Sequence, residues 1–449
     1  MSNSELEELT QTLLEVAQSA GADAADSIAI QGTSITVDVR EGALEQAERA
    51  EAMDVGLRVF VGQRQAVVSS SNVSPSTLQA MAERAVAMAK EAPDDPYACL
   101  ADRDQLAQDW DVTALELSDP ASEPDAEDLK RDALSAESAA LGNSGISQVQ
   151  ASSAAYGARD VHLATSVGFS GGYRRTDRAI SCVAIAGEGS EMERDYSGDS
   201  RIYQSDLRSA EEIGVEAAER ACARVGARKP PTGQFPVLFD ERISSSLIGH
   251  LIAAANGSSV ARGASWLRDA MGEQVLPKGV SLIEDPHRPR TGASRPFDGE
   301  GLATRKRSIV EDGVLQGWTL DLATGRKLGM PSTANAGRGT SGPPSPSTWN
   351  VTMTQGTASR DDLIRDMGTG LLVTSMIGST INPNTGDYSR GAAGLWIENG
   401  EITYVVNECT IAGNLRDMLG AVVPANDART WLSRVVPSLL VPGMTLAGN

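Results

Sequence analysis

Aromatic residues make up 4% of the 449-residue chain, and its three histidines and four cysteines are scattered singly. So few aromatics leave no stacking platform for nucleic-acid bases. The formal net charge of −21 repels a phosphate backbone, and no basic stripe offsets it. Direct nucleic-acid binding is therefore not expected. Cys99, Cys182, Cys222 and Cys409 lie far apart with no CxxC pair, so neither a disulfide framework nor a structural zinc site can be read from them. No apolar run approaches the ~18 residues of a membrane span. The N-terminal stretch MSNSELEELTQTLLEVAQSAGA is an acidic amphipathic helix without the positive region of a signal peptide. A reduced cytoplasmic compartment and no membrane association are the corresponding expectations.

What the chain has in abundance is glycine, 44 residues of it, within an otherwise ordinary composition of 41% hydrophobic and 22% charged residues. The length exceeds what one hydrophobic core fills, so two or three domains are expected. Residues 27–42 alternate apolar and polar as a half-buried strand pair would. Residues 56–71 read as a hairpin turning at Gly62-Gln63-Arg64, and 76–92 as a helix capped by Ser76. An acidic stretch near 104–128, densest over 109–128, reads as a solvated linker. Beyond it come a helix over 125–141, a meander of short strands over 145–201 and a helix over 209–227. The Pro/Gly-rich GARKPPTGQ (226–234) then suggests a boundary. After it lie a strand at 235–240, an apolar helix and a glycine-rich β region whose Asn399-Gly400 pair marks a hairpin over 392–406. The pattern predicts an α+β fold. Residues 1–228 would form an N-terminal α+β domain with helices flanking an antiparallel sheet, and residues 229–449 a β-rich C-terminal domain.

Several short motifs lose to their plain readings. Gly168-Phe169-Ser170-Gly171-Gly172 matches GxSxG, but a nucleophile elbow needs a helix next, and YRRTDRAISCV reads as a strand. Gly337-Arg338-Gly339-Thr340-Ser341-Gly342 matches GxGxxG, yet the PPSPS that follows cannot open the helix a dinucleotide site requires, so it reads as a loop. His162 falls in a strand and His287 in a loop, both read as structural or solvent-exposed. His250 lies inside the apolar helix SSSLIGHLIAAANGSS, where a lone histidine is more often a satisfied core residue than a ligand. Asp387-Tyr388-Ser389-Arg390 gathers an acid, a phenol, a hydroxyl and a guanidinium on a glycine-rich loop. That loop either orders itself or contacts a peptide or partner. His250, Asp387, Tyr388 and Arg390 are thus the candidate binding residues.

GHLIAAANGSSVARG (249–263), RPFDGEG (295–301), IVEDGVL (309–315), MGTGLLVT (367–374), TGDYSRGAAGLWIENGEI (385–402), TIAGNLRDM (410–418) and TSVGFSGGYRRT (165–176) together resemble the TldE/PmbA family, the "modulator of DNA gyrase" proteins. The resemblance spans essentially the whole chain and is most specific after residue 365. It implies a system of two related branches. The TldD branch carries HExxxH on a helix and acts as a zinc metallopeptidase, and the TldE branch pairs with it as a heterodimer that acts on small unfolded peptides.

Laid on this chain, the first histidine and the glutamate of HExxxH fall on Ser245 and Ser246, and the last histidine on His250. Serine supplies neither an imidazole ligand nor a carboxylate base. The cysteine that the catalytic branch places near its C-terminus has no counterpart in WLSRVVPSLLVPG (431–443). The resemblance therefore implies no catalytic or metal-binding residues here, zinc in a TldD-type partner, and a non-catalytic role for this chain, with a homodimer compatible with isolation. Its acidic surface would modestly favour basic peptides. Three rivals stand beside this reading. The chain could be a self-sufficient peptidase using His250 with Asp240 or Glu241, a binding module for gyrase or toxin–antitoxin components, or a serine hydrolase using Ser170 or Ser244–Ser246.

Overall fold

The computed structural model describes residues 3–448. The first two residues of the predicted N-terminal helix lie outside that range; the rest form α1 (Asn3–Ser19). Six antiparallel strands follow in sheet order β3-β2-β1-β4-β5-β6: β1 (Ala24–Arg40), β2 (Ala43–Val61), β3 (Arg64–Ser70), β4 (Ile146–Thr165), β5 (Ser170–Ala186) and β6 (Glu193–Arg201). Residues 27–40 lie on one unbroken strand rather than a pair, and Glu41 and Gly42 turn the chain into β2. β2 and β4 flank β1 along nearly its whole length, so its backbone groups find partners on both sides and nothing drives a turn at Gly32. The short strands expected over 145–201 are likewise long ones.

Helix starts follow local chemistry. α2 (Pro75–Glu91) is capped at Ser74 rather than Ser76, because Pro75 takes the first helical position, where its missing N–H costs nothing. α4 (Ala126–Leu141) and α5 (Ala210–Cys222) open on reciprocal capping boxes, Asp125 with Asp128 and Ser209 with Glu212. The acidic stretch before α4 is not solvated throughout. It holds the single-turn α3 (Val112–Leu115), buries Leu115 and Leu117 against Ile202, and seats Trp110 against Phe169 and Phe297.

Alternation along β1 divides the sheet's two faces. Ala25 and Ala29 pack with α1 and α2, and Ile35 and Val37 with α4 and α5, whereas Ile28 turns the other way. On that second face Ile28, Leu163 and Phe169 meet Phe297, Leu302, Leu322 and Ala334 from the C-terminal half.

The C-terminal half is built on β7 (Gly233–Phe239), which pairs parallel with Gly370–Ile381 and antiparallel with Leu439–Ala447. Asp387–Glu398 and Glu401–Asn414 extend the sheet, and Thr410–Ala412 pair with Thr445–Ala447, so the sheet closes on itself. Asn399 and Gly400 turn the hairpin at φ 55° and 77°, the left-handed pair that a two-residue hairpin turn requires. A smaller five-stranded sheet runs from Val314–Leu315 through Arg307–Glu311, Leu282–Glu284 and Val351–Met353 to Arg434–Val435. The α+β class read from the sequence holds, with an N-terminal antiparallel sheet and a β-rich C-terminal half.

Candidate functional site

The apolar helix α6 (Glu241–Ala254) follows β7 directly. The Asp240 side chain caps it by accepting from the backbone N–H of Arg242 at 3.2 Å. Leu247, Ile248, Leu251 and Ile252 fall on one side at helical spacing and enter the main core with Val237, Phe239 and Trp396. The opposite side, half-buried, carries Ser245, Ser246, Gly249 and His250.

What faces that polar side decides its chemistry. His250 and Tyr388 lie edge to face with ring centroids 5.9 Å apart. Burial lowers the pKa of His250 and the charge of Arg390 lowers it further, so the imidazole stays neutral. Its Nε2 is buried without a hydrogen-bond partner, which departs from the satisfied core histidine that a lone residue of this kind suggests. The Tyr388 hydroxyl donates to Met376 Sδ at 3.3 Å, and burial pushes its pKa up to about 12. The guanidinium of Arg390 donates to the Gly378 carbonyl at 2.7 Å. Arg434 crosses the helix at Gly249, where an added methyl would stand 3.2 Å from its Nη1. Ser246 spends its hydroxyl on the Ile243 carbonyl at 2.7 Å.

Residues 387–390 begin a strand rather than forming a loop, because Tyr388 pairs with both Ile381 and Gly413. Strand alternation then separates the candidates. Tyr388 and Arg390 face α6, whereas Asp387 turns outward, accepting from Thr385 Oγ1 at 2.6 Å and Asn414 Nδ2 at 3.1 Å. Those two bonds lower its pKa. Asn414 in turn caps the helix Leu415–Gly420, so Asp387 anchors a turn and does not join the His250 group.

This donor set does not suit zinc. One neutral imidazole stands beside two guanidinium groups, and no cluster of three or more His, Cys, Asp or Glu side chains occurs among the described residues. The self-sufficient peptidase imagined from His250 with Asp240 or Glu241 fails on geometry. Those two residues begin the helix, roughly 15 Å along its axis from His250. Asp240 is engaged with Arg242 and Arg360, and Glu241 with Arg429. A cavity of about 460 Å³ at that end of α6 is lined by Glu193, Asp195, Glu216, Arg224 and Arg242 among others, whose charges largely pair with one another.

Ser170 opens β5 after a turn, with no helix behind it, which removes the elbow. Its hydroxyl does lie 3.4 Å from His162 Nε2, but His162 is buried and bound through Nδ1 to Thr10 Oγ1 at 2.8 Å. His287 is exposed and meets Thr304 Oγ1 at 3.0 Å. Loop 337–342 is indeed not a dinucleotide turn; it follows a two-residue strand and sends Arg338 inward to Asp26.

Sequence reasoning missed a second cavity, about 600 Å³, between the outer face of the N-terminal sheet and the C-terminal half. Arg159, Arg175, Arg295, Trp349 and Trp431 line it. Its residues come from segments far apart in sequence. No local signal in the sequence marks it.

Comparison with known proteins matches the "PmbA/TldA metallopeptidase domain 1" over residues 25–89, the "central domain" over 119–225 and the "C-terminal domain" over 232–448. The chain is 36% identical to "Metalloprotease PmbA" of Escherichia coli, over 99% of this chain and 96% of that one. It is also 36% identical to the "Metalloprotease PmbA homolog" of Haemophilus influenzae, over 99% and 96%. A crystal structure from Bacteroides thetaiotaomicron assigned as a modulator of DNA gyrase superposes with a TM-score of 0.92 at 27% identity, covering 99% of both chains. TldE of Thermococcus kodakarensis shares the fold, with a TM-score of 0.86 at 20% identity over 98% of this chain and all of that one. The chain belongs to the PmbA/TldD/TldE family of metallopeptidase-like proteins.

Proposed function

We propose that this member of the PmbA/TldD/TldE family is the non-catalytic subunit of a two-component zinc metallopeptidase, working with a TldD-type partner on small unfolded peptides. The observation that carries the reading is the polar face of α6. Where the catalytic branch presents HExxxH, this helix presents Ser245, Ser246 and His250 opposite Arg390, and Arg434 crosses it at Gly249. Zinc chemistry would belong to the partner, where a bound metal would supply an activated water and Lewis-acid polarisation. This chain's own contribution is to complete the peptide channel. Residues 43–54 of β2 pair with β1 alone among the described residues, leaving an open edge of the kind that accepts an extended peptide strand. A cytoplasmic location is part of the same reading, supported by four cysteines that stand unbridged.

The test is zinc content and peptide cleavage measured for this chain alone, for its TldD-type partner alone, and for the mixture. Zinc in the partner, and faster cleavage by the mixture than by the partner alone, support the reading; His250→Ala should then change the rate of the mixture by less than about twofold. Stoichiometric zinc and chelator-sensitive cleavage by the isolated chain would overturn it.

A further inference from the structure

We propose that the cleft between the N-terminal sheet and the C-terminal half is a carboxylate-binding site that captures acidic peptide segments. The inference rests on the peptide-handling role above and narrows it to a substrate class.

The chain carries 60 acidic and 39 basic residues, so most of its arginines could be expected to find carboxylates. Three at this cleft do not. Arg175 is held by backbone carbonyls, its Nη1 donating to Ser294 at 3.2 Å and its Nη2 to Gly292. Arg295 Nη1 donates to the Ser294 carbonyl at 2.7 Å, and its guanidinium lies 5.5 Å from the centre of the Trp349 ring. Arg159, exposed on β4, has no ion-pair partner among the described residues. Carbonyls and an aromatic face fix the direction of a guanidinium without neutralising it, which leaves charge and free N–H edges for a ligand.

The two acids on the cleft wall do not cancel this surplus. Asp298 is buried and accepts from the backbone N–H groups of Glu300, Leu302 and Ala336 at 2.9, 2.9 and 3.1 Å, and Asp177 is exposed. A further arginine of the wall, Arg338, is 1% exposed and paired with Asp26, so the surplus rests on Arg159, Arg175 and Arg295. A planar anion that accepts two parallel N–H bonds suits such forks, and a carboxylate is the peptide group of that shape. The cavity of about 600 Å³ has room for a few residues of peptide. Trp431 at its edge supplies apolar surface for the flanking side chains. Whatever the negative field of the whole surface favours, the local chemistry here selects acid over base.

The experiment uses the isolated full-length chain and labelled hexapeptides bearing two central glutamates or two glutamines, each with a free or an amidated C-terminus. Fluorescence anisotropy reads affinity. Glutamate peptides should bind about tenfold tighter than their glutamine counterparts, and Arg175→Gln with Arg295→Gln should remove that preference. A preference that follows the free C-terminus instead supports the same site and identifies the terminal carboxylate as its ligand. Arg174→Gln, on the opposite face of β5 and paired with Asp160, serves as the neutral control. Arg159→Gln, exposed and outside any hydrogen-bond network, tests the site by itself should the double variant not fold; it should weaken glutamate peptides several-fold. Equal affinity for glutamate, glutamine and amidated peptides, or unchanged affinity in the arginine variants, would overturn the proposal. Because no partner subunit is present, that result would leave the heterodimer reading standing. Failure of the chain to stimulate its partner would overturn the latter without touching the binding measured here.

Discussion

Arg338 Nη1 lies 2.5 Å from Asp26 Oδ1, with both side chains 1% exposed, so a buried ion pair joins the 337–342 loop to the first strand of the N-terminal sheet. Asp26 Oδ2 also accepts from Arg58, at 2.8 Å from Nε and 2.5 Å from Nη2. One carboxylate therefore answers two buried cations. Burial pushes the Asp26 carboxyl up in pKa, but Arg338 and Arg58 outweigh it and hold it below the usual carboxylate value.

Removing the shared anion should therefore hurt more than removing either cation. Asp26→Ala strands two guanidinium groups in the interior and is expected to cost about 3–5 kcal/mol. Arg338→Met leaves the Arg58–Asp26 pair intact and strands no charge, so it should cost less than Asp26→Ala. Urea denaturation of both variants checks the order; a larger loss for Arg338→Met would mean that Arg58 does not compensate.

The same interior makes stability depend on pH in two opposed ways. Asp26 binds its proton more weakly in the folded chain. Its contribution is present above the ordinary carboxylate range and is lost as pH falls through the lowered folded value. Asp298 and Glu300 behave oppositely. Burial raises Asp298 to about 6, and burial followed by the Asp298 charge holds Glu300 well above its ordinary value. Between the ordinary carboxylate range and their raised values these two groups bind more protons in the folded chain than in the unfolded one, so they cost stability as pH rises through that window. Glu300→Gln mimics the protonated acid, so its stability relative to the parent should rise from pH 5 to pH 8. Thermal or urea melts at the two pH values decide this; a constant difference between variant and parent would show that Glu300 does not titrate in that window.

Gly56 fixes the same junction by shape. A methyl group built there would stand 2.2 Å from the Thr340 carbonyl oxygen, backbone against backbone, so the 337–342 loop seats on β2 only where the strand has no side chain. Gly56→Ala should cost about 1–3 kcal/mol through overpacking. The cost should fall on the junction, so protease nicking of loop 337–342 should accelerate. Unaltered stability with unaltered nicking would show that the loop is free to shift.

What could be read from the sequence was what short-range chemistry dictates. Asn399-Gly400 named its hairpin, and Asp125 and Ser209 sat where helices 4 and 5 begin; the reading of Ser245 and Ser246 against HExxxH came from the family resemblance instead. Strand extent was less legible. Residues 27–42 alternate just as two short strands would, and what makes 27–40 one is the presence of neighbours on both sides, which no local pattern encodes. The arginine cleft was invisible for a stronger reason. Arg159, Arg175 and Arg295 come from two strands and a distant loop, and each alone reads as an ordinary solvated cation. Arg434 lies in the cysteine-free stretch 431–443. That it crosses α6 at Gly249 depends on a parallel pairing with Val351 far away in sequence.

That last placement bears on how far this helix stands from a metal site. If the two serines were the whole difference, S245H/S246E would restore a zinc-binding helix. The surroundings argue otherwise: Arg390 stands close enough to His250 to lower its pKa, and Arg434 reaches Gly249 on the same polar face. Two guanidinium charges beside a divalent cation oppose its binding, half-buried Arg390 more strongly than exposed Arg434, whose charge water screens. S245H/S246E is therefore expected to emerge from desalting with substoichiometric zinc by elemental analysis. Adding Arg390→Glu, which removes one cation and offers a carboxylate, should raise zinc retention above that of the double variant. One zinc per chain in the double variant would mean that the helix alone decides metal binding and that the arginines are bystanders. Retention that rises only with Arg390→Glu would mean that the face opposite the helix has been rebuilt for a different task, so reversion at two positions cannot recover the catalyst.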